Sequence, residues 1–135
     1  MLLLILGTLG GNDSSASDIN DKGVIVGSSQ TSSGTTHAVK WENGAIADLD
    51  ALGDNYSYAT AINNMGTIIG YSSQGGVFVW KNGTLSDLNS LIPANLGWKL
   101  NAATDINDLG QIVGYGNFNG HVREAFLLTP ITIIQ

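Results

Sequence analysis

The sequence predicts an all-β domain of three repeats, each of about four antiparallel strands. The stretch Asp18-Ile19-Asn20-Asp21-Lys22-Gly23-Val24-Ile25-Val26-Gly27 returns as Ala61-Ile62-Asn63-Asn64-Met65-Gly66-Thr67-Ile68-Ile69-Gly70 and as Asp105-Ile106-Asn107-Asp108-Leu109-Gly110-Gln111-Ile112-Val113-Gly114. Its asparagines Asn20, Asn63 and Asn107 stand 43 and 44 residues apart. Such a period marks one supersecondary unit copied and stacked, because a single copy cannot bury its own apolar face. Short apolar runs between the copies are bounded by turn residues, and 18 glycines against 2 prolines fit many tight turns.

Each unit opens with a half-buried strand, in the first case Ser15-Ala16-Ser17-Asp18-Ile19. The turn Asn20-Asp21-Lys22-Gly23 follows. Asparagine suits its first position, where the side chain accepts a bond from the backbone two residues on, and glycine suits its fourth, where φ is positive. Asn63 with Gly66 and Asn107 with Gly110 take the same structural roles. The second strand begins at Val24-Ile25-Val26, and Gly27, Gly70 and Gly114 within these strands predict a bulge or the close approach of a neighbouring sheet. Third strands are expected at His37–Trp41, Gly76–Trp80 and Glu124–Leu128, which puts Trp41, Trp80 and Leu128 in one register. The Asn43-Gly44 and Asn82-Gly83 hairpin turns lead to fourth strands around Ala45–Asp50 and Thr84–Asn89.

The third unit has no such continuation after Leu128-Thr129-Pro130. Leu6-Gly7-Thr8-Leu9 matches Leu49-Asp50-Ala51-Leu52 and Leu88-Asn89-Ser90-Leu91, so residues 2–9 are expected to form the strand that completes the last repeat, both chain ends meeting in one sheet. A single repeat domain, 1–135, thus divides into a closing strand (1–10), repeat one (11–53), repeat two (54–92), repeat three (93–130) and a tail (131–135). Met1-Leu2-Leu3-Leu4-Ile5-Leu6 lacks a basic n-region and is too short for a membrane span, so no signal peptide is expected there.

Composition narrows the function classes. Hydrophobic residues make up 43% and charged residues 12%, enough for a packed core. The chain is acidic: the net charge of −6 and the lack of any basic cluster argue against nucleic-acid partners and anionic membrane surfaces. The absence of cysteine removes disulfides, thiolate metal sites and thiol nucleophiles.

The candidate chemical groups read mostly as structure. Asp18-x-Asn20-x-x-Gly23 resembles a cation loop, but its fifth position is Lys22, the third copy has Leu109 there, and the middle copy has Ala61 in place of the first ligand. Turn chemistry is therefore expected. His37 and His121 each stand alone and read as surface or strand-edge residues, and no serine elbow is present. Asp48/Asp50 and Asp13/Asp18 read as ordinary acidic residues near turns. No catalytic residue, metal set or cofactor is expected.

Among the aromatics, Trp41, Trp80, Phe78 and Phe126 recur at strand positions and are expected in the core between sheets. Tyr58, Tyr71, Trp98, Tyr115 and Phe118, with Tyr56, are less regular and lie in or beside loops. They are the candidate ligand-binding residues, suited to a platform for a sugar ring. The loops that differ most between repeats are Ser29–Thr36, Gly53–Ser57 and Ile92–Asn101, and a binding surface is expected there.

The segments Leu6-Gly7-Thr8-Leu9-Gly10-Gly11, Ser14-x-Ala16-x-x-Ile19-Asn20-x-x-Gly23-x-Ile25-Val26-Gly27 and His37-Ala38-Val39-x-Trp41 resemble the bacterial extracellular repeats named for the tripeptide His-Ala-Phe, the HAF repeats. The resemblance covers nearly the whole chain. The tripeptide itself reads His37-Ala38-Val39, Gly76-Val77-Phe78 and Glu124-Ala125-Phe126, so no copy keeps all three letters. The resemblance implies a β-propeller-like fold, an extracellular or cell-surface location and no defined activity.

Twelve strands fall short of the usual four to eight blades of about four strands. Two copies joined into a six-bladed ring, or one chain closed as a β-prism or β-trefoil with pseudo-threefold symmetry, are the arrangements open at this point. The expected function is a non-enzymatic structural or protein-interaction module that associates with itself as a homodimer. The alternative is a carbohydrate-binding module using loop aromatics, with a glycan or another protein as partner. Neither nucleic acid binding nor membrane insertion is expected.

Overall fold

In the computed structural model, which describes residues 1–50 and 56–131, eleven strands form three antiparallel sheets. Sheet one contains β1 (Gly10–Ile19), β2 (Ile25–Thr31), β3 (Thr36–Glu42) and β4 (Ala45–Asp48), paired in that order. Sheet two repeats the pattern with β5 (Ser57–Ile62), β6 (Ile68–Ser72), β7 (Gly76–Lys81) and β8 (Thr84–Asp87). Sheet three has β9 (Trp98–Ile106), β10 (Ile112–Phe118) and β11 (His121–Leu128). The all-β architecture of three repeats is as the sequence predicts.

The turns follow the residue chemistry. Gly23, Gly66 and Gly110 have φ of 79°, 83° and 79°, and each preceding asparagine accepts its glycine's backbone N–H through its carbonyl. Both Asn-Gly turns place the two residues at positive φ, Asn43 at 53° with Gly44 at 77°, and Asn82 at 52° with Gly83 at 83°. A third pair, Asn119-Gly120, makes the β10–β11 hairpin in the same way. At Gly27, Gly70 and Gly114 a Cβ would run into the backbone carbonyls of Ser15, Tyr58 and Ala102 on the adjacent strand. The close approach is therefore made within each sheet, next to a bulge, rather than by a neighbouring sheet.

Side chains alternate across each sheet and fill two separate interfaces. Val26, Ala38, Leu49, Ala59, Ile62, Ile68 and Phe78 pack between sheets one and two, with Trp80 and Leu85 against them. Ile69, Val77, Leu88, Leu100, Ala103, Ile106, Ile112 and Phe126 pack between sheets two and three, with Leu128 against them. Phe78 and Phe126 are core residues as expected, and apart from Leu100 the two sets correspond position by position. Sheet two lies between the other two.

That order explains why the expected closing strand does not form within the chain. Residues 1–8 carry no strand, Leu9 makes one isolated bridge to Thr31, and β11 pairs only with β10 among the described residues. The N-terminal segment continues into β1 of sheet one, with the whole of sheet two between it and β11. Ile92–Asn101 also differs from a plain loop. It holds one of two 3₁₀ turns, Leu88–Leu91 and Ala94–Leu96, and then β9 from Trp98, tied to the first turn by reciprocal bonds between Asn89 and the Leu100 backbone. Of Gly53–Ser57, residues 53–55 lie outside the described residues, as do 132–135 of the tail.

Candidate functional site

The repeated turn carries a network of polar bonds both within each repeat and between repeats. In each copy the asparagine Oδ1 accepts two backbone N–H groups, Lys22 and Val24 for Asn20, Met65 and Thr67 for Asn63, Leu109 and Gln111 for Asn107. The side-chain amide then reaches the next repeat: Asn20 Nδ2 donates to the Asn63 carbonyl at 3.1 Å, and Asn63 Nδ2 to the Asn107 carbonyl at 3.0 Å. These residues thus form a ladder across the three sheets as well as their own turns.

A second rail runs beside the first. Asp21 N donates to Asn64 Oδ1 at 2.7 Å and Asn64 N to Asp108 Oδ1 at 2.8 Å, while Asn64 Nδ2 bonds the carboxylates of both Asp21 and Asp108. The Asn64 backbone and side-chain N–H groups hold the Asp108 carboxyl below its ordinary value. Asp18 Oδ2 likewise accepts Ile62 N from the next repeat. The Asp18 and Asn20 oxygens of the loop accept backbone amides, the turn chemistry expected of the pattern.

The ladder ends at repeat three. Asn107 Nδ2 turns back on its own loop and donates to Gln111 Oε1 at 2.9 Å. Beside this end lies an apolar groove of about 380 Å³ between sheets two and three, lined by Leu88, Ile92, Ile112, Leu128 and Pro130 among others. Trp80 and Leu85 occupy the corresponding place between sheets one and two. Repeat three has the smaller Leu128 at the Trp80 position, and no strand beside β11 supplies a counterpart of Leu85 among the described residues.

The candidate ligand-binding aromatics separate into two groups. Tyr58 and Tyr71, on paired β5 and β6, have ring centroids 5.8 Å apart, and Tyr56 meets Tyr58 edge-on at 5.7 Å. Tyr115 lies near enough to act on Tyr58, whose phenol pKa is raised by burial first and then by the neighbouring phenols Tyr56, Tyr115 and Tyr71. The Arg123 guanidinium stacks 4.0 Å from the Tyr115 ring centroid, a contact without a sequence signal. Trp98 and Phe118 form the other group. They stack at 4.9 Å as a cross-strand pair, and Trp98 also meets Phe126 and packs on the core, which makes this pair part of the fold.

His37 is not a surface residue. It is buried on β3, and its Nδ1 lies 2.7 Å from Asp48 Oδ2. Asp48 also accepts Asp50 N, and Asp50 accepts the Ser72 hydroxyl. His121 is exposed and meets Glu124. No helix among the described residues is long and apolar enough to cross a membrane. No family model, curated protein or solved structure matches the chain.

Proposed function

We propose that the chain is a non-enzymatic structural module that associates with copies of itself, a relative of the HAF repeats within an exported or surface protein. The observation that carries this reading is the ladder Asn20–Asn63–Asn107, whose donors and acceptors run in one direction from repeat to repeat and stop with Asn107. A head-to-tail ladder of this kind is continued by another identical repeat. Of the acidic pairs, Asp48 and Asp50 are committed to His37, backbone and Ser72. Light scattering on the purified chain tests the reading: a stable oligomer supports it, and a monomer at all concentrations contradicts it.

A second reading rests on the tyrosine cluster. Tyr56, Tyr58 and Tyr71 group three aromatic rings whose hydroxyls offer polar contacts, with Arg123 on Tyr115 nearby. Such a surface suits a sugar ring, which presents both apolar C–H faces and hydroxyls. A glycan array with the purified chain tests it, and no binding across a broad array removes it.

A further inference from the structure

We infer that residues 2–5 are a strand donated to a second copy of this chain, where they pair with β11, fill the groove between sheets two and three and close two chains into one six-sheet ring. The inference rests on the self-association just proposed and names its chemistry.

The internal repeats identify the occupant. Aligning Leu6 with Leu49 and Leu88 places Leu2–Ile5 on Ala45–Asp48 and on Thr84–Asp87, which are β4 and β8. Both of those strands pair with the third strand of their sheet, Lys40 with Ala47 and Trp41 with Ile46 in one, Val79 with Ser86 and Trp80 with Leu85 in the other. Carried onto sheet three, that register pairs Leu127 with Leu4 and Leu128 with Leu3. Leu3 then stands where Leu85 stands, and Leu85 packs in the interface that corresponds to the groove.

The segment itself is unsuited to remain in water. Leu2, Leu3, Leu4 and Ile5 are 87%, 92%, 71% and 97% exposed, an unbroken uncharged run. Each such side chain buries roughly 60–120 Å² of apolar surface. Two exchanged segments, counted with the surface they cover, come to roughly 1,000–1,900 Å², in the class of stable pairs at about 1,200–2,000 Å². Three stacked sheets are too few to close a ring, whereas six lie within the usual range of about four to eight.

The polar ladder gives the same direction. Asn63 O accepts both its own Gly66 N and the amide of Asn20 from the preceding repeat. Among the described residues Asn20 O accepts only its own Gly23 N, and Asn107 Nδ2 bonds Gln111. In the ring, Asn107 of one copy donates to the Asn20 carbonyl of the other, and Asp108 N to the other Asp21 carboxylate. Two-fold symmetry makes both junctions at once.

The chain contains no cysteine, so introduced pairs report cleanly. L4C and L127C chains are co-expressed, oxidised and run without reductant, with each single variant alone and an L4C plus R123C pair as controls. An inter-chain disulfide at least ten-fold more abundant for L4C with L127C than for any control is the expected result, since directly opposed strand residues lie within disulfide reach. A dimer by light scattering without this cross-link overturns the strand exchange while leaving self-association in place. A monomer overturns both. An L4C/L127C double variant that cross-links only within one chain also overturns the exchange.

Discussion

Asn20 donates its side-chain amide to the main-chain carbonyl of Asn63, 43 residues away and in the next sheet, at 3.1 Å. The same side chain organises its own turn through Oδ1, so one residue type at one position links local geometry to the stacking of repeats.

The middle asparagine is engaged on both sides and is buried, whereas Asn107 is exposed. Asn63→Ala removes two acceptor bonds and a donor and leaves Thr67 N without its partner, so it is expected to cost about 2–4 kcal/mol. Asn107→Ala, whose amide bonds Gln111 in its own turn, is expected to cost about 1–2 kcal/mol. Urea unfolding of the two variants in the chain lacking residues 1–6, where no junction between copies forms, checks the order, and equal costs there would contradict the cross-sheet role of Asn63.

Two glycines four residues apart separate backbone strain from crowding. Gly66 has φ of 83° with open space around it, so Gly66→Ala is expected to cost about 1 kcal/mol. Gly70 has no positive φ, but a Cβ there would overlap the Tyr58 carbonyl and the Phe78 ring, so Gly70→Ala is expected to cost about 3 kcal/mol or more. The same urea series reads both, and a Gly70→Ala cost below that of Gly66→Ala would contradict the packing described.

The repeat period, the turns and the sheet strands were legible in the sequence because each is written in consecutive residues. The cross-sheet bonds of Asn20 and Asn63 were not, since an asparagine that makes a turn looks the same whether or not its amide has a partner 43 residues on. The one available signal was the next position, which stays polar in all three copies as Asp21, Asn64 and Asp108. Leu6–Leu9 match Leu49–Leu52 and Leu88–Leu91, the residues that follow β4 and β8, but such a match does not say which sheet the N-terminal segment can reach; that depends on sheet two lying between sheets one and three. The sequence reads His37 as a surface or strand-edge residue because nothing next to it marks its partner, Asp48, which lies across a strand pair. Trp98 and Phe118 were grouped with the tyrosines by their place near loops, and only the β9–β10 register sends them to the core.

That division of the aromatics has a measurable consequence. Trp98→Ala, which strips a ring from Phe118, Phe126 and the core, is expected to cost about 2–4 kcal/mol. Tyr71→Ala is expected to cost less than half as much in thermal or urea unfolding. Equal costs would place Tyr71 in the core as well.

Tyr58 supplies a pH test. Its phenol is bound to its proton more tightly in the folded chain than in the unfolded chain, where the ordinary value is 10.0. The folded state therefore holds more protons above that pH, and the stability from Tyr58 is complete below about pH 10 and declines as pH rises through the folded pKa. In Tyr58→Phe the alkaline fall of the unfolding midpoint is expected to be shallower. Superimposable slopes would contradict the clustered phenols.

The central claim is that two copies complete each other, and the mass in solution by light scattering tests it most directly. The full chain is predicted to run at twice its 14.1 kDa, and a chain lacking residues 1–6 to run as a folded monomer by circular dichroism. A full-length chain at 14.1 kDa at every concentration, or a shortened chain that remains a dimer, would contradict it.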